Sequence, residues 1–218
     1  MGSRIPGVLV SGFDAAHTEK WKIPSCIPCN EKYGKLESDF RDRVGLCLDP
    51  RNLASESVVL DTLRSMNAQA GRDPRDAQRR LERARKILSE MLTGASIPQD
   101  GVFPGMKLHE HVPDEDRVGM PIPADYFGLI AAKIVRGIFY IEDQKFIEPP
   151  YVIEFHTFVP NDEVAVQFEA WLTQYGIIYS REPGLVVHRA VTPEDGLTSL
   201  FKITFWEQLS MYATVTRE

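Results

Sequence analysis

Cys26 and Cys29 are the residues of this chain whose type and spacing most directly permit chemistry. Two thiolates three positions apart can close on one soft metal ion and supply half of a tetrahedral zinc site. Pro24 and Pro28 stiffen the turn on either side of Cys26, and Asn30 follows the second thiol directly. A closed site needs two more ligands, and the candidates are His17 and Cys47. Cys47 falls on an apolar stripe, where a Cys packs as a small hydrophobe. His17 stands in a polar stretch and reads first as a surface histidine, second as a ligand. The pair could also be a redox dithiol, provided a helix starts at the first Cys and lowers its pKa. Pro28 and Asn30 argue for a later helix start, so metal binding is the expected role.

A second group is basic. From Arg72 to Lys86 there are seven basic residues against three acids, and Arg75, Arg79, Arg83 and Lys86 fall on one helical face. Such a stripe can follow a phosphate backbone, although a solvated face with paired charges accounts for the same pattern. His109, Glu110 and His111 precede Asp114, Glu115 and Asp116, but their spacing is not that of a helical metal motif and the segment reads as a solvated acidic loop. His156 and His188 lie in strand-like segments and read as sheet residues. The chain has no nucleophile elbow, phosphate-cradling glycine loop or dinucleotide fingerprint.

The elements that must position these groups can be read from periodicity. Residues 1–18 show no period, and a short strand over 19–25 leads into the thiols. Leu36, Phe40, Val44 and Cys47 recur at helical spacing and stop at Asp49-Pro50. A second helix carries Val59, Leu63 and Met66, capped by Ser55 or Ser57. A third carries Ala77, Leu81, Ala84, Leu88 and Met91. A Pro- and Gly-rich connection follows over 94–123. Beyond it come an amphipathic helix over 124–141, a strand over 151–159, a helix through Val164 to Tyr175, and strands near 177–180, 185–190, 200–206 and 210–216. The expected fold is α+β: a partial knuckle with its helix over 1–50, a helical segment over 51–95, a connection over 96–123, and a helix-on-antiparallel-sheet domain over 124–218.

With 218 residues, 43% of them hydrophobic and 26% charged, the chain can bury a sizeable core. A net charge of −6 excludes a surface coated with nucleic-acid-binding charge but leaves room for a local basic patch. No run approaches the roughly 18 apolar residues of a membrane span, and the first residues lack a signal-peptide stretch. Three cysteines, two of them in a C-x-x-C pair, suit a reducing compartment, so a cytoplasmic location without a membrane partner is expected.

The segment over 21–50 resembles the second half of the zinc-bearing HNH endonuclease motif, through Pro-Ser-Cys26-Ile-Pro-Cys29-Asn30, the following Gly34-Lys-Leu-Glu37 and the closing Leu46-Cys-Leu-Asp-Pro50. The resemblance implies a ββα unit that cleaves a phosphodiester with a divalent ion such as Mg2+ and a His that activates water. Cys26 and Cys29 would then ligate a structural Zn2+, and Asn30 would order the loop that orients the base. The family's upstream C-x-x-C pair is not in this sequence, and the one upstream His, His17, has no acid before it. The expectation is therefore an HNH-like nuclease acting on nucleic acid, shortened at its start and with an incomplete active site in this chain. A non-catalytic nucleic-acid or protein binding module with a structural knuckle is the competing expectation.

Overall fold

The structure, a computed structural model, describes residues 2–4, 22–24, 26–98, 101–107, 111–159, 162–181 and 184–218. Strand β1 (Gly2–Arg4) pairs antiparallel with β2 (Lys22–Pro24), so the first residues, expected to be without structure, include a strand. The first helix, α1 (Ile27–Cys47), begins directly after Cys26, well before the start its apolar stripe suggested. Pro28 lies in its first turn, where the missing N–H costs nothing and the fixed φ is already helical. The residue that looked like a breaker is a starter.

Helix α2 (Leu53–Met66) is capped by the Asn52 carboxamide, which accepts from Ala54 N–H, rather than by Ser55 or Ser57. It buries Ala54, Val58, Val59 and Thr62, and Leu63 faces outward. Helix α3 (Pro74–Glu90) is capped by Asp73 and buries Ile87, with Leu88 exposed. The connection beyond it contains a two-stranded ladder, β3 (Leu92–Thr93) with β4 (Val118–Gly119).

Helix α4 (Ala124–Asp143) is followed by β5 (Tyr151–His156), α5 (Glu163–Tyr175), β6 (Ile177–Arg181), β7 (Leu185–Val191), β8 (Ser199–Phe205) and β9 (Leu209–Arg217). The strands form one antiparallel sheet in the order β5-β9-β8-β7-β6. The protein is α+β, with helices laid on that sheet.

Strict alternation decides the two sheet faces. Val187, Phe201, Ile203, Phe205, Met211, Ala213 and Val215 point to one side, where they pack on Phe127, Ile130, Ile134, Ile138 and Phe139 of α4. Leu36, Phe40 and Val44 of α1 and Val58 and Val59 of α2 belong to the same core, so the N-terminal helices and the C-terminal sheet share one hydrophobic cluster. The other side of the sheet carries Ala190, Leu200 and Tyr212 and receives Phe168 and Leu172 of α5.

Among the described residues no helix is long and apolar enough to cross a membrane.

Candidate functional site

Strand β2 delivers the chain to Cys26, whose sulfur caps α1 by accepting from the Cys29 backbone N–H at 3.4 Å. The Asn30 N–H donates to the Cys26 carbonyl at 3.0 Å and closes the first turn. Both thiols are therefore on one helical turn, side by side, and both are exposed. The Cys29 thiol, hydrogen-bonded to the Cys26 sulfur, lowers the Cys26 pKa and raises its own. The first turn of α1 holds no acidic side chain, and the helix N-terminus favours a thiolate there. Asn30 lies inside the helix, on its exposed first turn, rather than in a loop before it.

The thiols stand on a rigid base. Two turns further along α1, Glu37 forms a buried ion pair with Lys133 of α4, and the Lys133 ammonium lies 5.2 Å from the centre of the Tyr33 ring. Burial pushes the Glu37 pKa up, and the Lys133 ammonium opposes that shift. Nearly two turns beyond, the Arg43 guanidinium donates to Asp39 at 2.9 Å and to the Pro121 carbonyl at 2.6 Å, and pairs with Glu90 at 2.6 Å. One side chain thus ties α1 to α3 and to the segment entering α4.

The basic stripe divides. Arg75, Arg79 and Lys86 are exposed, as are Arg72 and Arg85. Arg83 is also exposed but reaches back to α1, where its guanidinium meets the buried Asp42 carboxylate at 3.2 Å. Arg80 is also engaged within the fold, with Asp76 at 3.2 Å and the Arg64 carbonyl at 2.5 Å. Arg83 is thus a packing residue as much as a contact residue, and its partner lies too far away in sequence for a helical face to reveal it.

Helix α3 meets α1 through Arg83, which also donates to Ser38 at 3.4 Å. Ser38 is nine residues from Cys29, about 14 Å along the axis at the usual helical rise. Arg83 therefore contacts α1 well away from the thiols.

The other candidates resolve individually. Cys47 lies at the far end of α1, and burial pushes its thiol up to about 11. His17, His109 and Glu110 lie outside the described residues. His111 Nδ1 is 3.8 Å from Asp49 Oδ2. His156 shares a hydrogen bond of 2.8 Å with Thr214 on the sheet.

His188 lies near a polar group that sequence reasoning did not single out. There the Glu169 carboxylate of α5 accepts from Lys202 at 2.6 Å and from the Tyr212 hydroxyl at 2.5 Å. Burial lowers the His188 pKa, and so does Lys202. Burial and the Glu169 carboxylate push the Tyr212 hydroxyl above its ordinary value. These groups satisfy one another and fasten α5 to the sheet. The only sequence signal for them was period-2 polarity along β8 and β9.

Among the described residues no three His, Cys, Asp or Glu side chains gather into a metal-binding group. Comparison with known proteins finds no matching family model, no matching curated protein and no matching solved structure.

Proposed function

We propose that this chain is a nucleic-acid-acting protein of the HNH endonuclease type, in which Cys26 and Cys29 are two ligands of a structural zinc knuckle. The observation that carries the reading is the local arrangement itself: a strand, then two exposed thiols on the first turn of a helix, with Asn30 on the same turn. Two adjacent sulfurs suit zinc, which takes thiolates tetrahedrally at about 2.3 Å. A sulfur-held zinc of this kind fixes structure, and a separate divalent ion such as Mg2+ supplies the acidified water and the charge stabilisation that hydrolysis needs. Lys133, Glu37 and Arg43 hold the helix that presents the thiols. Arg75, Arg79 and Lys86 offer three exposed positive charges to backbone phosphates.

The test is binding of fluorescent duplex DNA and single-stranded RNA over a salt series, followed by a cleavage assay with Mg2+. Affinity that falls with salt, together with Mg2+-dependent cleavage, supports the nuclease. Binding without cleavage moves the protein to the non-catalytic module, and no binding to either substrate removes nucleic acid as the partner.

A second reading has one observation in its favour. The helix begins right after the first thiol, which is the setting a redox dithiol requires and which the sequence argued against. Zinc retained by the protein in reducing buffer would set this reading aside.

A further inference from the structure

We infer that a second copy of this chain completes the zinc site, with one ion held by Cys26 and Cys29 of both copies across a two-fold axis. The inference rests on the zinc-knuckle reading above. Its first support is where the sulfur of this chain lies. The sequence has three cysteines, and the third, Cys47, closes the helix that Cys26 caps. Eighteen residues separate Cys29 from Cys47, about 27 Å along a straight helix. A zinc ion with bonds of about 2.3 Å cannot bridge them. Within these 218 residues, four sulfurs can meet at one ion only when the thiols of two copies come together.

The second support is electrostatic. Zinc with four thiolates carries a net charge of −2, and each helix N-terminus presents roughly half a positive charge. No acid in the first turn of α1 offsets that charge, and on the two turns that follow the exposed Lys32 and Lys35 outnumber the exposed Glu31. Two such helix ends would repel each other if brought together alone, whereas a dianionic centre between them converts the repulsion into attraction.

The third support is geometric. A C-x-x-C pair on one turn occupies one edge of a tetrahedron, and a two-fold axis through the metal generates the opposite edge from the same residues. Both thiols are exposed, so a second copy can reach them without any rearrangement of the described fold.

The experiment uses the full chain, stripped of metal by a chelator and held in reducing buffer, with zinc titrated in. Elemental analysis reads the bound metal and light scattering reads the mass. The expected result is one zinc ion per two chains and a mass twice the 24.7 kDa of one chain. Both should be lost in Cys26→Ser and in Cys29→Ser, whose circular dichroism stays unchanged because the sites are exposed. Cys47→Ala and His17→Ala should leave stoichiometry and mass as they were. One zinc ion per chain at single-chain mass, lost in His17→Ala, would overturn the shared site and leave the knuckle reading standing. No bound zinc at any concentration would remove both.

Discussion

At the scale of single residues, the three cysteines differ in a way that chemistry can read directly. Cys26 and Cys29 are exposed on the first turn of α1, while burial pushes the Cys47 thiol up to about 11. The thiolate is the reactive form, and at pH 8 a thiol of that pKa holds roughly a thousandth of its population as thiolate. Alkylation with iodoacetamide at pH 8, followed by peptide mass spectrometry, should modify Cys26 and Cys29 while Cys47 lags by roughly 100-fold. Equal rates would mean that Cys47 is not enclosed.

Asp195 makes a second case. Its carboxylate accepts from the Thr198 hydroxyl at 2.7 Å, from the Leu197 and Thr198 N–H groups at 2.8 Å each, and from the Tyr151 hydroxyl at 3.1 Å. These bonds, that of Thr198 first, hold its pKa well below the ordinary 3.8. A carboxyl depressed in the folded state adds stability above its unfolded value and loses it as the pH falls through its folded value. Asp195→Asn should therefore melt at a lower temperature than the parent at pH 7, and the gap should narrow as the pH drops below 3.8. A gap constant from pH 7 to pH 2 would place the effect in shape rather than charge.

At the scale of elements, helix α3 shows what periodicity can and cannot tell. Its presence and its basic character were legible, because charged residues alternate with Leu81 and Ala84 at helical spacing. The split within the basic stripe was not legible, because Asp42, the partner of Arg83, lies 41 positions away on another helix. The start of α1 was misread for a related reason. Pro28 and Asn30 disfavour a helix interior, and only the three-dimensional cap at Cys26 shows that Pro28 is in the first turn. The strands of the sheet were legible from alternation, but not their order, since β9 inserts between β5 and β8.

The split gives a paired prediction. Arg83→Ala leaves the buried Asp42 carboxylate with Arg41 at 3.1 Å as its remaining cation and should cost about 1–2 kcal/mol, reduced from the fully buried case because Arg83 is partly exposed. The triple variant Arg75→Ala, Arg79→Ala, Lys86→Ala should change stability by no more than about 0.5 kcal/mol per site. It should also lower the slope of log affinity for duplex DNA against log salt by about 3. Urea melts and a salt series on both variants separate the roles. A triple variant with an unchanged salt slope would remove α3 as a phosphate contact.

At the scale of the whole molecule, the β8–β9 hairpin joins the two halves of the chain and does so under strain. Trp206 and Glu207 both take left-handed backbone conformations, with φ of 48° and 59°, and neither is glycine. Such residues cost of order 1–3 kcal/mol each and persist where surrounding contacts hold them. Here the contacts come from the junction of α1 and α2. Trp206 is buried in the common core, and the Glu207 carboxylate accepts from the Asn52 carboxamide at 3.4 Å. The Gln208 carboxamide oxygen accepts from Asp49 N–H at 2.7 Å, and its NH2 donates to Ser55 Oγ at 2.6 Å and to the Asp49 carbonyl at 3.3 Å. Gln208 is itself buried, so its removal leaves the Asp49 N–H without this acceptor. Gln208→Ala should therefore cost about 2–3 kcal/mol, the range for orphaning a buried donor together with the loss of neighbouring bonds.

The same junction makes a claim about cooperativity. If the N-terminal helices and the sheet share one core, a chain with Trp21→Phe and Trp171→Phe, in which Trp206 alone reports, should lose Trp206 fluorescence and helical circular dichroism at one urea midpoint. Gln208→Ala should move both midpoints down together. Fluorescence that changes before the dichroism would mean that the hairpin undocks first, and that the helices and the sheet are held together more weakly than each holds itself.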